Sequence, residues 1–74
     1  MPMINKVKNL VDSKGISVYK FRQETGIAPT TAYELYNNPK HLPSIRVLER
    51  VCESYEIQPN DVLEIVSWKD YQKI

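Results

Sequence analysis

Apolar residues recur at intervals of three and four along the chain, and serine, glycine and proline divide this pattern into short helical segments. Gly15 ends a first predicted helix, whose apolar face consists of Ile4, Val7, Leu10 and Val11. Ser17 is a good N-cap for a second helix, which turns Val18 and Phe21 inward and ends at Gly26. The two helices are predicted to pack through these apolar faces.

Proline marks the start of a third helix and the end of the loop that follows it. Pro29 is unfavourable inside a helix but favoured in its first turn, so this helix is predicted to start near Ala28 or Pro29. It runs to about Tyr36, with Ala32 and Leu35 facing the core. The segment "NNPK" then breaks it, and "KHLP" is predicted to be loop.

Two further helices are predicted in the second half of the chain. Ser44 caps a fourth helix, in which one apolar face is shared by Ile45, Leu48, Val51, Cys52 and Tyr55. Pro59 opens a fifth, with Asp61 in its first turn and with Val62, Leu63 and Val66 directed inward. No segment combines sustained strand alternation with hairpin turn residues. The expected fold is therefore all-α, a compact five-helix domain.

The last eight residues, "SWKDYQKI", are predicted to form a tail distinct from a domain over residues 1–66. Trp68 and Tyr71 are three positions apart, which would place both on one face of a helix. The tail over residues 67–74 could pack on the core, provide a surface for a partner, or fray. Two large aromatic side chains favour packing or pairing.

Composition and charge narrow the function classes. Seventy-four residues allow one small domain, and the single cysteine, Cys52, excludes a disulfide framework and suits a reducing compartment. No apolar run resembles a signal peptide or a membrane span, so we expect a cytosolic, soluble domain. The net charge is only +1, but residues 1–40 carry six basic side chains against three carboxylates, and residues 41–74 carry four against six. One mildly basic half is compatible with a phosphate-facing surface.

The second and third predicted helices, joined by a tight turn at Gly26, match a helix-turn-helix unit. The segments "SVYKFRQETGIAPTTAYEL" and "PSIRVLERVCESYEIQPNDVL", with their spacing, resemble phage repressor/Cro-like (Xre-type) DNA-binding domains over roughly residues 4–66. The chain is most similar to the small stand-alone regulators of that family. The resemblance implies a recognition helix from Ala28 to Tyr36 that enters the major groove.

The resemblance also implies which residues would contact DNA. The positions that match the family's base-reading sites are Pro29, Thr30, Thr31, Glu34 and Asn37. The implied contacts to the DNA backbone are Ser17, Lys20, Arg22, Tyr33 and Lys40, with Lys14 and His41 as further candidates. Without the resemblance, Thr30, Thr31 and Glu34 would simply be a solvated helix face.

Three positions depart from the family pattern. Arg22 stands where a small residue is common, Val18 where many relatives have glutamine, and Ala28 where a serine or threonine cap is usual. Together with the unusual Pro29, Arg22 and Ala28 are the positions at which we expect docking on DNA to differ from that of the family.

The remaining function classes follow from what the sequence lacks. It shows no catalytic pairing, no phosphate-binding glycine loop and no metal-ligand spacing, so we expect no enzyme activity, no cofactor and no metal, and no small-molecule effector is evident. Cys52 is interpreted as a packed, unreactive thiol. The expected function is a sequence-specific transcriptional regulator that binds double-stranded DNA, a repressor that acts as a homodimer on a palindromic operator. The expected pairing residues are Val62, Val66, Trp68 and Tyr71. The alternative is a protein-binding module on the same fold, such as an antitoxin, anti-repressor or adaptor.

Overall fold

A computed structural model describes all residues from Met1 to Ile74. In chain order the elements are β1 (Met3–Asn5), α1 (Val7–Lys14), α2 (Val18–Thr25), α3 (Pro29–Asn37), α4 (Ile45–Tyr55), a 3₁₀ turn (Pro59–Asp61), β2 (Leu63–Ile65) and α5 (Trp68–Gln72). Helices α1 to α4 surround the core, and β1 and β2 form a two-stranded antiparallel sheet that joins the two ends of the chain. None of the helices is both long and apolar enough to cross a membrane.

The hydrophobic core draws one or two side chains from each of the first four helices. Its buried members are Val7, Val11, Phe21, Ile27, Ala32, Leu35, Val51 and Val62. The inward positions predicted on α2 and α3 are therefore confirmed for Phe21, Ala32 and Leu35. The prediction for Ile45 is wrong, because this side chain is 72% exposed. It is the first residue of α4 and precedes the part of the helix that packs on the core.

Local capping signals placed the middle helices correctly. The hydroxyl of Ser17 accepts a hydrogen bond from Lys20 N at 3.1 Å, and that of Ser44 accepts one from Val47 N at 3.2 Å. Gly26 ends α2 with a φ of +71°, in the left-handed region where a side chain would be strained. Serine caps and a glycine C-cap are strong because each satisfies backbone groups that the helix itself leaves unpaired.

Both ends of the chain form the sheet, which the all-α prediction missed. Met3 lies opposite Ile65, Ile4 opposite Glu64, and Asn5 opposite Leu63. Ile4 is thus in a strand rather than in α1, which begins only at Val7. The predicted fifth helix from Pro59 is wrong as well: one 3₁₀ turn precedes β2, and α5 lies in the tail. The two strands are about sixty positions apart along the chain, so no hairpin-turn sequence could predict their pairing.

The structure also excludes one residue that was predicted to lie in a dimer interface. Val62, at the end of the 3₁₀ turn, is fully buried in the core of its own chain, and its carbonyl oxygen accepts a hydrogen bond from Lys6 N at 2.6 Å. A side chain without exposed surface cannot contact a second copy. Val62 is therefore a core residue and not part of a dimer interface.

A buried asparagine connects the sheet to the loop that follows α3. Asn5 is 4% exposed, and its side-chain nitrogen donates hydrogen bonds to the carbonyl oxygens of Asn38 (3.0 Å) and His41 (2.6 Å). Its side-chain oxygen accepts from Val7 N at 3.0 Å, where it begins α1. Its backbone nitrogen donates to Pro39 O at 2.8 Å. One side chain and its own backbone thus fix the start of α1 and the loop over residues 38–41.

A second polar contact connects α2 to α4. The hydroxyl of Tyr55 donates to Glu24 Oε1 at 2.9 Å, and its ring stacks on Phe21 with centroids 6.2 Å apart. The ammonium of Lys14 lies 4.3 Å above the Tyr55 ring. Burial raises the pKa of Tyr55 well above its usual value, and the hydrogen bond to Glu24 raises it further.

We predict that Asn5→Ala lowers the free energy of unfolding by about 1–3 kcal/mol, because the substitution leaves the buried Val7 amide without its acceptor and the Asn38 and His41 carbonyl oxygens without this donor. Urea denaturation of the purified variant measures this difference. Asn9→Ala is the matched control, since Asn9 is exposed on α1. Equal stability of the two variants would contradict the role given to Asn5.

The raised pKa of Tyr55 predicts a loss of stability in alkali. A group whose pKa is higher in the folded state stabilises the fold below its unfolded pKa, roughly 10 for tyrosine, and this contribution is lost as the pH rises above that value. We expect Tyr55→Phe to be less stable than the parent protein near pH 7.5, because it lacks the bond to Glu24, and to lose less stability between about pH 10 and 11. Urea midpoints at both pH values test this, with exposed Tyr19→Phe as the control expected to keep the parent's pH dependence. Parallel losses in parent and Tyr55→Phe would contradict the prediction.

Candidate nucleic-acid interface

The turn between α2 and α3 sets the direction of the candidate recognition helix. Gly26 N donates to Arg22 O at 2.9 Å and closes α2, and Ile27 then enters the core. A Cβ on Gly26 would lie 3.3 Å from Arg50 Nη1, the end of a flexible side chain that can move aside, so the positive φ is the reason for glycine here. Ala28 is in the N-cap position of α3 and makes no side-chain cap, as expected for alanine, and Pro29 occupies the first turn.

The two faces of α3 differ sharply in exposure. Ala32 and Leu35 are completely buried and hold the helix on the core. The opposite face carries the predicted base-reading residues: Pro29, Thr30, Glu34 and Asn37 are exposed, and Thr31 is half-buried. The structure thus places all five on one helix, with Thr31 turned partly toward the protein. Because these side chains are not needed for packing, they are available to a ligand.

Glu34, in the middle of this exposed face, has a partner from the following loop. Its Oε2 lies 3.2 Å from His41 Nε2, and both side chains are partly exposed. No hydrogen bond within the chain involves Oε1. Sequence reasoning treated His41 as a loop residue and missed this pair, since the two residues are seven positions apart and lie together only because the loop turns back along α3.

The loop after α3 also presents Lys40. Lys40 N donates to the side-chain oxygen of Asn38 at 3.1 Å, which closes a tight turn. The ammonium of Lys40 lies 4.4 Å above the ring of Tyr71 in the tail. The tail thus packs against the loop that adjoins the candidate interface, and Tyr71 makes a contact within its own chain.

The remaining candidates for backbone contacts lie on α2 and α3. Lys20 is exposed near the start of α2, and the Ser17 hydroxyl keeps its hydrogen for a further bond while its oxygen caps the helix. Tyr33 is 46% exposed. Arg22 is half-buried, and its Nε is buried without a hydrogen-bond partner. A long side chain at this position is accommodated, at the cost of one unpaired polar atom.

Other lysines of the basic half are engaged within the chain. Lys8 Nζ donates to Asp12 Oδ2 at 2.9 Å and to the hydroxyl of Tyr36 at 3.3 Å, and that hydroxyl donates to Asp12 Oδ1 at 2.7 Å. The bond to Asp12 raises the pKa of Lys8, and the same bond lowers the pKa of Asp12. Lys14 is held over Tyr55. Lys40 is likewise exposed with its ammonium over Tyr71, and Lys20 is exposed with neither an ion pair nor an aromatic partner.

Metal-binding side chains and the single cysteine are further candidates for chemistry in this chain. No three histidine, cysteine, aspartate or glutamate side chains lie close enough together to hold a metal ion. Cys52 is a free, half-buried thiol whose pKa is raised by burial and, to a lesser extent, by the negative charge of Asp61. A raised pKa disfavours the thiolate, the reactive form. Cys52 is accordingly a packing residue of α4.

Tyr19 is a residue of this region that the sequence interpretation did not single out. It is 57% exposed near the start of α2, and its hydroxyl accepts a hydrogen bond from Gln23 Nε2 at 3.1 Å. The helical spacing of the inward residues Val18 and Phe21 already places position 19 outside, so the pattern contained the signal.

Comparison with known proteins gave one match. A family model for the Cro/C1-type HTH DNA-binding domain matches residues 6–67, which is most of the chain. Neither the curated proteins nor the solved structures searched gave a match. The matched region contains α1 through β2, including the helix-turn-helix formed by α2 and α3. The protein belongs to the Cro/C1-type helix-turn-helix family of DNA-binding domains.

Proposed function

We propose that the protein is a sequence-specific transcriptional regulator, a repressor that binds a palindromic operator in double-stranded DNA as a homodimer. The observation that carries this proposal is the exposed face of α3, which has polar side chains that no internal packing requires. An α-helix with such a face fits the major groove, where base edges present distinct donors and acceptors. Occupation of the operator is enough to block transcription, so repression requires no further surface.

The residue types on α3 suit a particular kind of base reading. The hydroxyls of Thr30 and Thr31 can donate to or accept from base edges, and their methyl groups can contact thymine. Glu34 can accept a hydrogen bond from the amino group of cytosine, and Asn37 can reach a base or phosphate at the end of the helix. Pro29 has no backbone donor and offers only apolar contact.

Contacts to the DNA backbone would fix the helix in the groove. Lys20 and Lys40 lie before and after α3 in the chain and supply positive charge, and the Ser17 and Tyr33 hydroxyls can donate to phosphate oxygens. Arg22, with its unpaired Nε, is the fifth member of this set. Each neutralised phosphate contributes a salt-dependent term, so the sum of these contacts predicts a measurable salt slope.

Pairing of two copies would make the site large enough for a specific operator. One chain has a single recognition helix and a longest dimension of 34 Å, so it covers one half-site. Two copies related by a twofold axis would address half-sites about 34–36 Å apart, one turn of DNA. Each copy alone buries too little surface for tight specific binding.

The candidate pairing surface, which we call the sheet–tail surface, consists of Met3, Ile65, Val66 and Trp68. Met3 and Ile65 are opposite each other in the sheet and are 38% and 59% exposed, and Trp68 is 61% exposed. Val66 N donates to Pro2 O at 2.9 Å, which keeps the tail beside β1. An open apolar cleft of about 400 Å³ adjoins Met3 and Ile65. Tyr71 supports this surface through its edge-on contact with Trp68, at a centroid distance of 5.9 Å.

On this proposal, residues 67–74 are an extension that serves packing and pairing, attached to a DNA-binding domain over residues 1–66. A protein-binding module, such as an antitoxin, anti-repressor or adaptor, is the second candidate function. The observations that favour it are the same apolar sheet–tail surface and the net charge of only +1. Binding to arbitrary duplex DNA separates the two, since only phosphate contacts give affinity that falls steeply with salt.

We predict that the double substitution Thr30→Ala and Thr31→Ala lowers affinity for the selected operator by about tenfold or more and broadens base preference, because base-edge contacts are lost. Selection of bound duplexes from a random pool, followed by titration of parent and variant on the selected duplex, measures both effects. Ser54→Ala, on α4 and outside the candidate interface, is the hydroxyl-removal control and should match the parent protein. Unchanged affinity and preference in the double variant would show that α3 is not the reading element.

We predict that Ile65→Thr weakens self-association by about tenfold or more, because apolar area is lost twice across a twofold interface. Threonine preserves strand preference, so β2 should persist. Ile45→Thr makes the same chemical change at an exposed position of α4 and is expected to leave association unchanged. Sedimentation equilibrium measures both. A parent protein that is monomeric at concentrations that saturate the operator would contradict the dimer, and equal effects of the two variants would contradict the sheet–tail surface.

A further inference from the structure

The loop over residues 38–41 returns along the recognition helix instead of leaving it. Asn38 N donates to Glu34 O at 2.9 Å, and His41 N donates to Asn38 O at 3.0 Å, so two successive backbone bonds reverse the chain. The reversal places the His41 imidazole beside the Glu34 carboxylate, with 3.2 Å between Nε2 and Oε2. A side chain that is outside α3 therefore contacts its exposed face.

The position of His41 is fixed from the protein side. The 2.6 Å bond from the Asn5 side chain ends on the carbonyl oxygen of His41 itself, and Asn5 is buried. Its companion bond ends on the carbonyl oxygen of Asn38, so both ends of the turn are held by one amide group. Because Asn5 belongs to β1, the backbone from which the imidazole extends is anchored to the sheet.

The contact leaves half of the carboxylate open. Oε2 of Glu34 lies 3.2 Å from the imidazole Nε2, whereas Oε1 has no partner from the rest of the chain. A glutamate side chain alone has several rotamers, and fixing it on binding costs conformational entropy. An imidazole beside one oxygen restricts the carboxylate and so preorganises the other oxygen for a donor on a base edge, which in the major groove is the amino group of cytosine or adenine.

We propose that His41 is a positioning residue for base recognition: it holds Glu34 so that Oε1 accepts a hydrogen bond from a cytosine amino group. This inference rests on the proposed function and extends it to a residue outside the recognition helix. The loop over residues 38–41 would then contribute to the specificity of DNA binding as well as to its affinity. Glu34 supplies the acceptor, and His41 fixes the direction in which that acceptor points.

Two other roles for His41 would affect DNA affinity in a different way. If the imidazole contacted a phosphate directly, its loss would weaken binding to every sequence alike. If it only kept the Glu34 carboxylate away from phosphates, its loss would again weaken all sequences, and removal of the Glu34 charge would restore binding. A positioning role instead changes the ratio of affinities between bases at one position in each half-site.

The experiment compares base preference at each operator position for the parent protein and five variants. Duplexes are first selected from a random pool with the parent protein, and single-base substitutions of the selected duplex are then titrated. Glu34→Gln identifies the position that Glu34 reads. At that position we expect His41→Ala to reduce the preference for cytosine by about fivefold or more.

His41→Gln provides the rescue, because its amide can donate to the carboxylate without a ring or a charge. We expect it to recover most of the preference that His41→Ala loses, and the double variant Glu34→Gln with His41→Ala to resemble Glu34→Gln alone. Lys40→Ala is the neighbouring contrast, expected to weaken all duplexes by a similar factor and to leave the preference intact. Urea denaturation of each variant confirms that the comparison concerns folded protein.

The outcomes separate cleanly. Loss of preference in His41→Ala at the Glu34 position, with recovery in His41→Gln, supports the inference. An unchanged preference in His41→Ala, or equal weakening of all duplexes, overturns it while the regulator function stands. A parent protein that selects no sequence from the pool refutes the proposed function itself, and this is seen before any variant is made.

Discussion

The burial of the Asn5 amide among backbone groups is the constraint on which the arrangement of the site depends. A primary amide offers two donors and one acceptor, and here all are used: both hydrogens by loop carbonyls, and the oxygen by the first amide of α1. Among the other residue types only glutamine carries the same set, on a side chain that is one methylene longer. The strand β1 is only three residues long. Its hydrogen bonds to β2 therefore matter less for the site than the position that it gives to Asn5.

The consequence is that α3 is fixed at both ends by different means. At its start, the left-handed Gly26 and the insertion of Ile27 into the core set the direction in which the helix leaves α2. At its end, the amide of Asn5 holds the turn that follows Asn37. Between these points Ala32 and Leu35 bind the helix to the core. The helix is therefore held in place by residues outside its exposed face, which leaves the residues of that face free for recognition.

How much of the fold and of the candidate site could be predicted from the sequence depended on how far apart along the chain the interacting residues lie. Helices α2, α3 and α4 followed from signals within a few residues, namely the serine caps, Gly26 and Pro29. The sheet did not, because each strand is stabilised by the other end of the chain, and Val62, Leu63 and Val66 also satisfy helical spacing. Likewise the five base-reading candidates lie on one helix as predicted, but the pairing of Glu34 with His41 required the loop path set by Asn5. Local sequence signals located the candidate recognition helix α3, and only the tertiary structure showed which residues support it.

The charge distribution fits recognition by shape and base edges more than attraction to phosphate. Lys8 and Lys14 are engaged with Asp12 and Tyr55, and the exposed face of α3 carries a carboxylate but no cationic side chain. A carboxylate in the groove repels phosphates wherever no amino group meets it, so it weakens binding to most sequences. A regulator must be distinguished by its ratio of specific to non-specific affinity, because non-specific sites vastly outnumber operators. On the proposed function, a net charge near zero and a positioned Glu34 both raise that ratio, the first by limiting non-specific attraction and the second by penalising the wrong base.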